Sequence, residues 1–122
     1  MIEDDLRELI GSRLPGTDVY SRLIPVSLPE CVVIQAEAGT PRTASIRRAS
    51  HRIVLLAVSR EKENAMSLLR TARDALMTNL PWTSASTHYY TARSLADGSL
   101  KRKALNGPRY IEYVDMEVVA SL

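Results

Sequence analysis

Residues 52–80 constrain the fold more than any other stretch. An apolar run, Ile53-Val54-Leu55-Leu56-Ala57-Val58, passes through Ser59 into a segment that Pro81 ends. The run is short, rich in β-branched residues and apolar at both parities, the pattern of a strand covered on both faces. The following segment has helical period. Ala65, Leu69, Ala72, Leu76 and Leu80 recur at spacings of three and four, and Met66 and Met77 widen the stripe. Arg60, Glu63, Arg70 and Asp74 fall elsewhere and face water. The Ser59 hydroxyl can accept a hydrogen bond from a free N–H at the helix start, and Glu61 and Glu63 suit its positive end.

The other segments read as partners of this unit. Residues 2–11 form an amphipathic helix with acidic residues at the favoured end and Gly11 as its stop. Pro15-Gly16 is a turn, and alternation over 18–25 gives a strand ending at Pro25. Cys31 to Ala38 is a second strand. The polar, basic stretch 39–52 is an extended arm, or the tips of two long strands. Residues 81–86 form a loop, and Thr87 to Leu95 form a strand, with Asp97-Gly98 as a turn signal. In Tyr110 to Ala120, Val114, Met116, Val118 and Ala120 face inward while Asp115 and Glu117 face outward. The order α-β-β-β-α-β-β predicts one α+β domain, a mostly antiparallel sheet flanked by a long helix and a short N-terminal one.

Composition narrows the function classes. The chain has 122 residues and no Phe, so the core is Leu, Val, Ile, Ala and Met. A net charge of +2 does not demand a nucleic-acid partner. No run reaches the roughly 18 apolar residues that span a membrane, and the acidic start is the reverse of a signal peptide. The single cysteine, Cys31, sits in an apolar run and reads as a buried, reduced thiol.

Catalytic signals are weak. His51 and His88 have no Cys or carboxylate at metal-ligand spacing. The glycines form no phosphate loop, and no serine lies in a nucleophile elbow. The expectation is a non-enzyme with no cofactor and no metal. Two basic clusters carry more weight: Arg42, Arg47, Arg48 and Arg52 in one region, and Lys101, Arg102, Lys103 and Arg109 in another. They are solvated strand tips, or they meet an acidic protein surface or nucleic-acid phosphate. Trp82, directly after the helix, caps the core end or joins a subunit contact.

The layout carries a resemblance. The N-terminal helix leads to Val19-Tyr20-Ser21-Arg22-Leu23-Ile24-Pro25 and then Val32-Val33-Ile34-Gln35-Ala36-Glu37-Ala38-Gly39-Thr40-Pro41. The basic strand 52–58, the helix through Ala65-Met66 and Ala75-Leu76, and the alternating final strand follow. This resembles the tail terminator and minor capsid (tail completion) proteins of long-tailed bacteriophages and prophages, the lambda-type terminator among them. The resemblance implies a virion protein assembled in the bacterial cytoplasm. It implies a homohexameric ring on the head-proximal end of the tail tube, which stops tube polymerisation and receives the head connector. Its partners would be itself, the tail tube protein and the head connector or neck protein, with DNA passing through the ring without specific binding and no membrane involved. A ring needs heterologous contacts that close, and Asp115 and Glu117 are placed to face Arg47, Arg48 or Arg52 of a neighbour. A head-tail joining protein and a small nucleic-acid-binding module are the alternatives.

Overall fold

The buried run lies in the middle of a seven-stranded sheet. The computed structural model describes residues 2–25, 27, 29–37, 42–45, 47–104 and 107–121, with backbone alone at 42–45 and 104. Along these residues the order is α1 (Ile2–Arg13), β1 (Asp18–Ser21), β2 (Cys31–Ala36), β3 (Arg42–Ser45), β4 (Arg48–Ser59), α2 (Lys62–Thr78), β5 (Trp82–Ser84), β6 (Thr87–Ala104) and β7 (Gly107–Ser121). Across the sheet the order is β1-β2-β4-β7-β6-β5, and β3 pairs with the start of β4. Among the described residues only β1 and β2 pair in parallel. The fold is the predicted α+β class, with β3 and β5 added to the expected order. Of the 39–52 arm, residues 39–41 and 46 lie outside the described residues. The rest takes the form of two strand tips.

Both faces of β4 are covered along residues 53–58, as its apolar run requires. On one face Ile53 and Leu55 join Val32 and Ile34 of β2 and Val114, Met116, Val118 and Ala120 of β7. Leu6, Leu9 and Ile10 of α1 and Ala72 and Leu76 of α2 cover them. On the other face Cys31, Val33, Leu56, Val58 and Ile111 form a smaller cluster under Tyr20, Ile24 and Tyr113. Ile24 comes from the connection between β1 and β2, which covers that face in place of a helix. Burial pushes the Cys31 thiol up to about 11, with Asp18 and Glu30 adding to the effect, so it is an inert core group.

Several local expectations shift. The α2 stripe is narrower than predicted: its buried residues are Ala65, Ala72, Ala75 and Leu76. Met66 and Met77, each one residue past a buried position, are turned about 100° away and stay 44% and 41% exposed. Ser59 does not cap α2: it ends β4, the N-cap is Glu61 with no side-chain cap, and Ser59 accepts only the Glu61 N–H at 3.3 Å while its hydroxyl donates to Glu30 at 2.9 Å. Gly11 does not stop α1, which runs on to Arg13. The turn comes at Gly16, whose φ of +84° suits glycine. Strand β1 ends at Ser21 rather than Pro25, since Arg22 has a φ of 72° and turns its N–H onto the Ile34 carbonyl. Asp97-Gly98 is not a turn but the middle of β6. Gly98 is required there because the Tyr113 ring of β7 lies where a Cβ would stand.

Two adjacent carboxylates tie α1 to the rest. Asp4 accepts the Ser21 hydroxyl and pairs with Arg22, and the Ser21 hydrogen bond first, then the Arg22 charge, hold its carboxyl below the usual range. Asp5 accepts the hydroxyls of Ser84 and Tyr89. Burial and Asp5 push the Tyr89 phenol well above its usual range. Replacing Asp5 by Ala leaves the buried Tyr89 hydroxyl without its acceptor. Urea unfolding of Asp5→Ala is expected to show a loss of about 1–3 kcal/mol. Leu55→Ala, at the centre of the larger cluster, is expected to cost about 2–5 kcal/mol.

Candidate functional site

The feature that stands apart from the core is the β6–β7 hairpin. Strand β7 pairs with β4 up to Tyr110, opposite Ser59, while Gly107 to Arg109 continue beyond it with Arg102 to Ala104 of β6. The tip therefore overhangs the sheet by roughly 10 Å at about 3.4 Å per residue. The outer side of β6 is covered by β5 at residues 87–89 alone. Beyond Tyr89, β6 has no outer neighbour among the described residues and is exposed along most of its length. Such an edge is a template for another strand. Two register shifts, at 89–91 and 94–96, and the charges of Arg93, Lys101 and Lys103 moderate it.

The second basic cluster sits on this hairpin. Lys101, Arg102 and Lys103 are exposed, and the Lys101 ammonium lies 5.5 Å from the Tyr110 ring centre. Arg109 differs from its expected solvated state. It is 4% exposed, faces Arg102 across the hairpin, and donates to the carbonyls of Gly107 and Pro108. Its guanidinium braces the overhang instead of extending from it.

The first basic cluster lies at the other end of the sheet. Arg48 pairs with Ser121 and Lys101 with Tyr110, so roughly 35 Å of β7 separates these two, and Arg52, opposite Glu117, still stands roughly 24 Å from Lys101, at about 3.4 Å per residue. They do not form one patch. Arg42 is in β3, with its side chain outside the described residues. Arg47 and Arg48 are exposed, and the Arg48 guanidinium stacks 4.0 Å over Tyr90. Arg52 faces water on the helix-free side of β4.

Glu117 and Asp115 point outward from β7 as predicted. Glu117 finds its partners within its own sheet: it stands between Arg52 of β4 and Arg93 of β6 and accepts Arg93 Nε at 2.9 Å. Hydrogen bonds from Ser50 and Arg93 hold its carboxyl below the usual range. Asp115 is half-buried between Val54 and Ala96. Trp82 stacks on Tyr89 at 5.8 Å and packs on the larger cluster, so it closes the core end. Arg93, Ser50 and Tyr90 were missed by sequence reasoning. They belong to this polar face through cross-strand register, which a single sequence does not print.

Three comparisons with known proteins bear on this geometry. No protein-family model matches the chain, and no curated protein matches it. Solved structures do match. A chain of the virion of a native gene transfer agent particle matches with a TM-score of 0.53 and 18% identity, covering 94% of this chain and 84% of that one. At that identity the likeness is one of fold: this chain shares the architecture of a virion protein. Among the described residues no group of His, Cys, Asp and Glu is placed to hold a metal ion, and no helix is long and apolar enough to cross a membrane.

His51 supplies a pH handle. It lies half-buried in β4, and desolvation lowers its pKa from 6.5. The unfolded chain thus binds this proton more readily, and stability falls as pH drops below about 6.5. Glu117, with its lowered carboxyl, adds a separate loss only below about 4.5. Thermal melts between pH 8 and 5 are expected to show a falling midpoint, and His51→Gln is expected to flatten that slope.

Proposed function

We propose that the chain is a non-enzymatic structural protein of a phage-type virion. In this reading it forms a ring that caps the head-proximal end of a tail tube, halts tube growth and receives the head connector. The observation that carries the proposal is the long outer edge of β6 with its overhanging cationic tip, on a fold shared with a virion chain. A monomer of this size has little use for such an edge, and natural sheets generally protect theirs. A ring uses it, because copies that join by two different surfaces close into a cycle. The sequence resemblance to tail terminators supplies the finer role, with tube protein and connector as partners and a hexamer as the stoichiometry.

Size exclusion with light scattering on the full chain, alone and with tail tube protein, tests the reading, followed by negative-stain imaging. The expected outcome is a ring of hexamer mass, or a ring that forms on the tube end. A chain that stays monomeric at high concentration and ignores tube protein overturns it.

The exposed Lys101, Arg102 and Lys103 favour a second reading, in which the hairpin tip touches nucleic-acid phosphate. Three phosphate contacts give a log–log salt slope of about −3 on duplex DNA. Titration at low salt is expected to show weak binding of that slope if this reading holds, and none if the tip serves protein contacts alone.

A further inference from the structure

We infer that the β6 edge of one copy seats against the β1–α1 edge of a second copy, as an antiparallel extension of the sheet. This contact rests on the ring reading above and specifies it.

Topology sets the first condition. β1 and β6 lie at opposite ends of the pairing path, apart from the short β5. One parallel and three antiparallel steps separate them, so they run in opposite senses. A second copy that continues the sheet therefore meets β6 with an antiparallel β1, the more stable pairing. The rows also coincide. Following the pairing across the sheet, Asp18 lies level with Leu100, Val19 with Ser99, Tyr20 with Gly98 and Ser21 with Asp97. No shift along the strands is needed to bring the two edges together.

Charge sets the second condition. A shallow groove of about 490 Å³ runs between α1 and the helix side of β1, lined by Asp5, Arg7, Glu8, Gly11, Thr17 and Val19 among others. Asp4 and Asp5 are engaged within the chain, but Glu8 is exposed and has no hydrogen bond or ion pair among the described residues. Asp18 shares the row of Cys31 and Val58, so alternation turns it to the helix-free side, level with Leu100. On β6, Ser99 shares the helix side with Glu112, whose carboxylate it bonds, and alternation places Lys101 and Lys103 on that same side. Both lysines are exposed and lie beyond the row of Ser99, where the neighbour's groove continues toward Thr17. Opposite charges across a contact fix its register and suppress wrong pairings.

Exposed apolar groups set the third. Leu95 and Leu100 on β6 are 36% and 49% exposed, and Leu23, just past the end of β1, is 79% exposed. Leu100 prolongs the row Cys31–Val58–Ile111 of the smaller cluster. A second copy's β1 continues that row and covers it.

Charge reversal and cross-linking on the full chain test the contact. Lys101→Glu with Lys103→Glu, and separately Glu8→Lys, are each expected to raise the concentration for half-assembly at least tenfold. All three changes together are expected to restore it. Far-UV circular dichroism checks that the variants fold. Independently, Asp18→Cys with Leu100→Cys is expected to give a ladder of disulfide-linked species on a non-reducing gel, with neither single change doing so. If wild-type rings form, both reversed variants ring at an unchanged concentration and no ladder appears, this contact is wrong and the ring reading stands. A wild-type chain that never assembles, with or without tube protein, removes the ring reading and the contact with it.

Discussion

The structure depends on keeping the 53–58 run of β4 dry on both sides. A strand apolar at both parities cannot lie on a two-layer sandwich with one face in water, because half its side chains would then be hydrated. The chain answers with two unequal covers. α1 and α2 lie on one side over the larger cluster, and the connection between β1 and β2 folds back over the other with Ile24. That second cover is small. It reaches the rows of Leu56 and Val58, and beyond them the same face becomes the polar strip of Arg52, Glu117 and Arg93. The sheet therefore has a sealed centre and a wet margin, and the margin holds the features that suit assembly.

Charge is distributed to match. The acidic residues of α1 serve two ends: Asp4 and Asp5 fasten the helix to β1 and to the β5–β6 corner, while Glu8 remains exposed to solvent. The cations lie mostly at the two ends of the long strands, some 35 Å apart along β7 at about 3.4 Å per residue. A net charge of +2 thus hides a marked internal separation of sign. For an assembling protein this layout discourages like edges from meeting and favours unlike ones.

Sequence reasoning captured the parts that periodicity encodes. The strand–helix unit, the inward set of β7 and the α+β class all follow from apolar spacing that the core enforces. It failed where side chains carry no such pattern. β6 beyond Ala92 is mostly wet on both faces, so its sequence lacks alternation, and Asp97-Gly98 imitated a turn within a continuous strand. The glycine is there for a neighbour's ring, a reason that exists only once β7 is in register. Met66 and Met77 were misplaced because each lies one residue, about 100°, past a buried position, Ala65 and Leu76. Of the candidate residues, the basic ones were found by composition, but their division between two ends, the burial of Arg109 and the pairing of Glu117 with Arg93 all follow from long-range pairing.

One consequence concerns mechanics. The overhanging tip is carried by β7, which is also the strand that β4 and β6 flank along most of its length. Hydrogen bonds in an antiparallel ladder stand perpendicular to the strands. A pull along the tip therefore loads many of them together in shear and does not peel them one at a time. The tip behaves as the end of a stiff lever anchored through the middle of the sheet, and tension applied there is passed to the helices behind it.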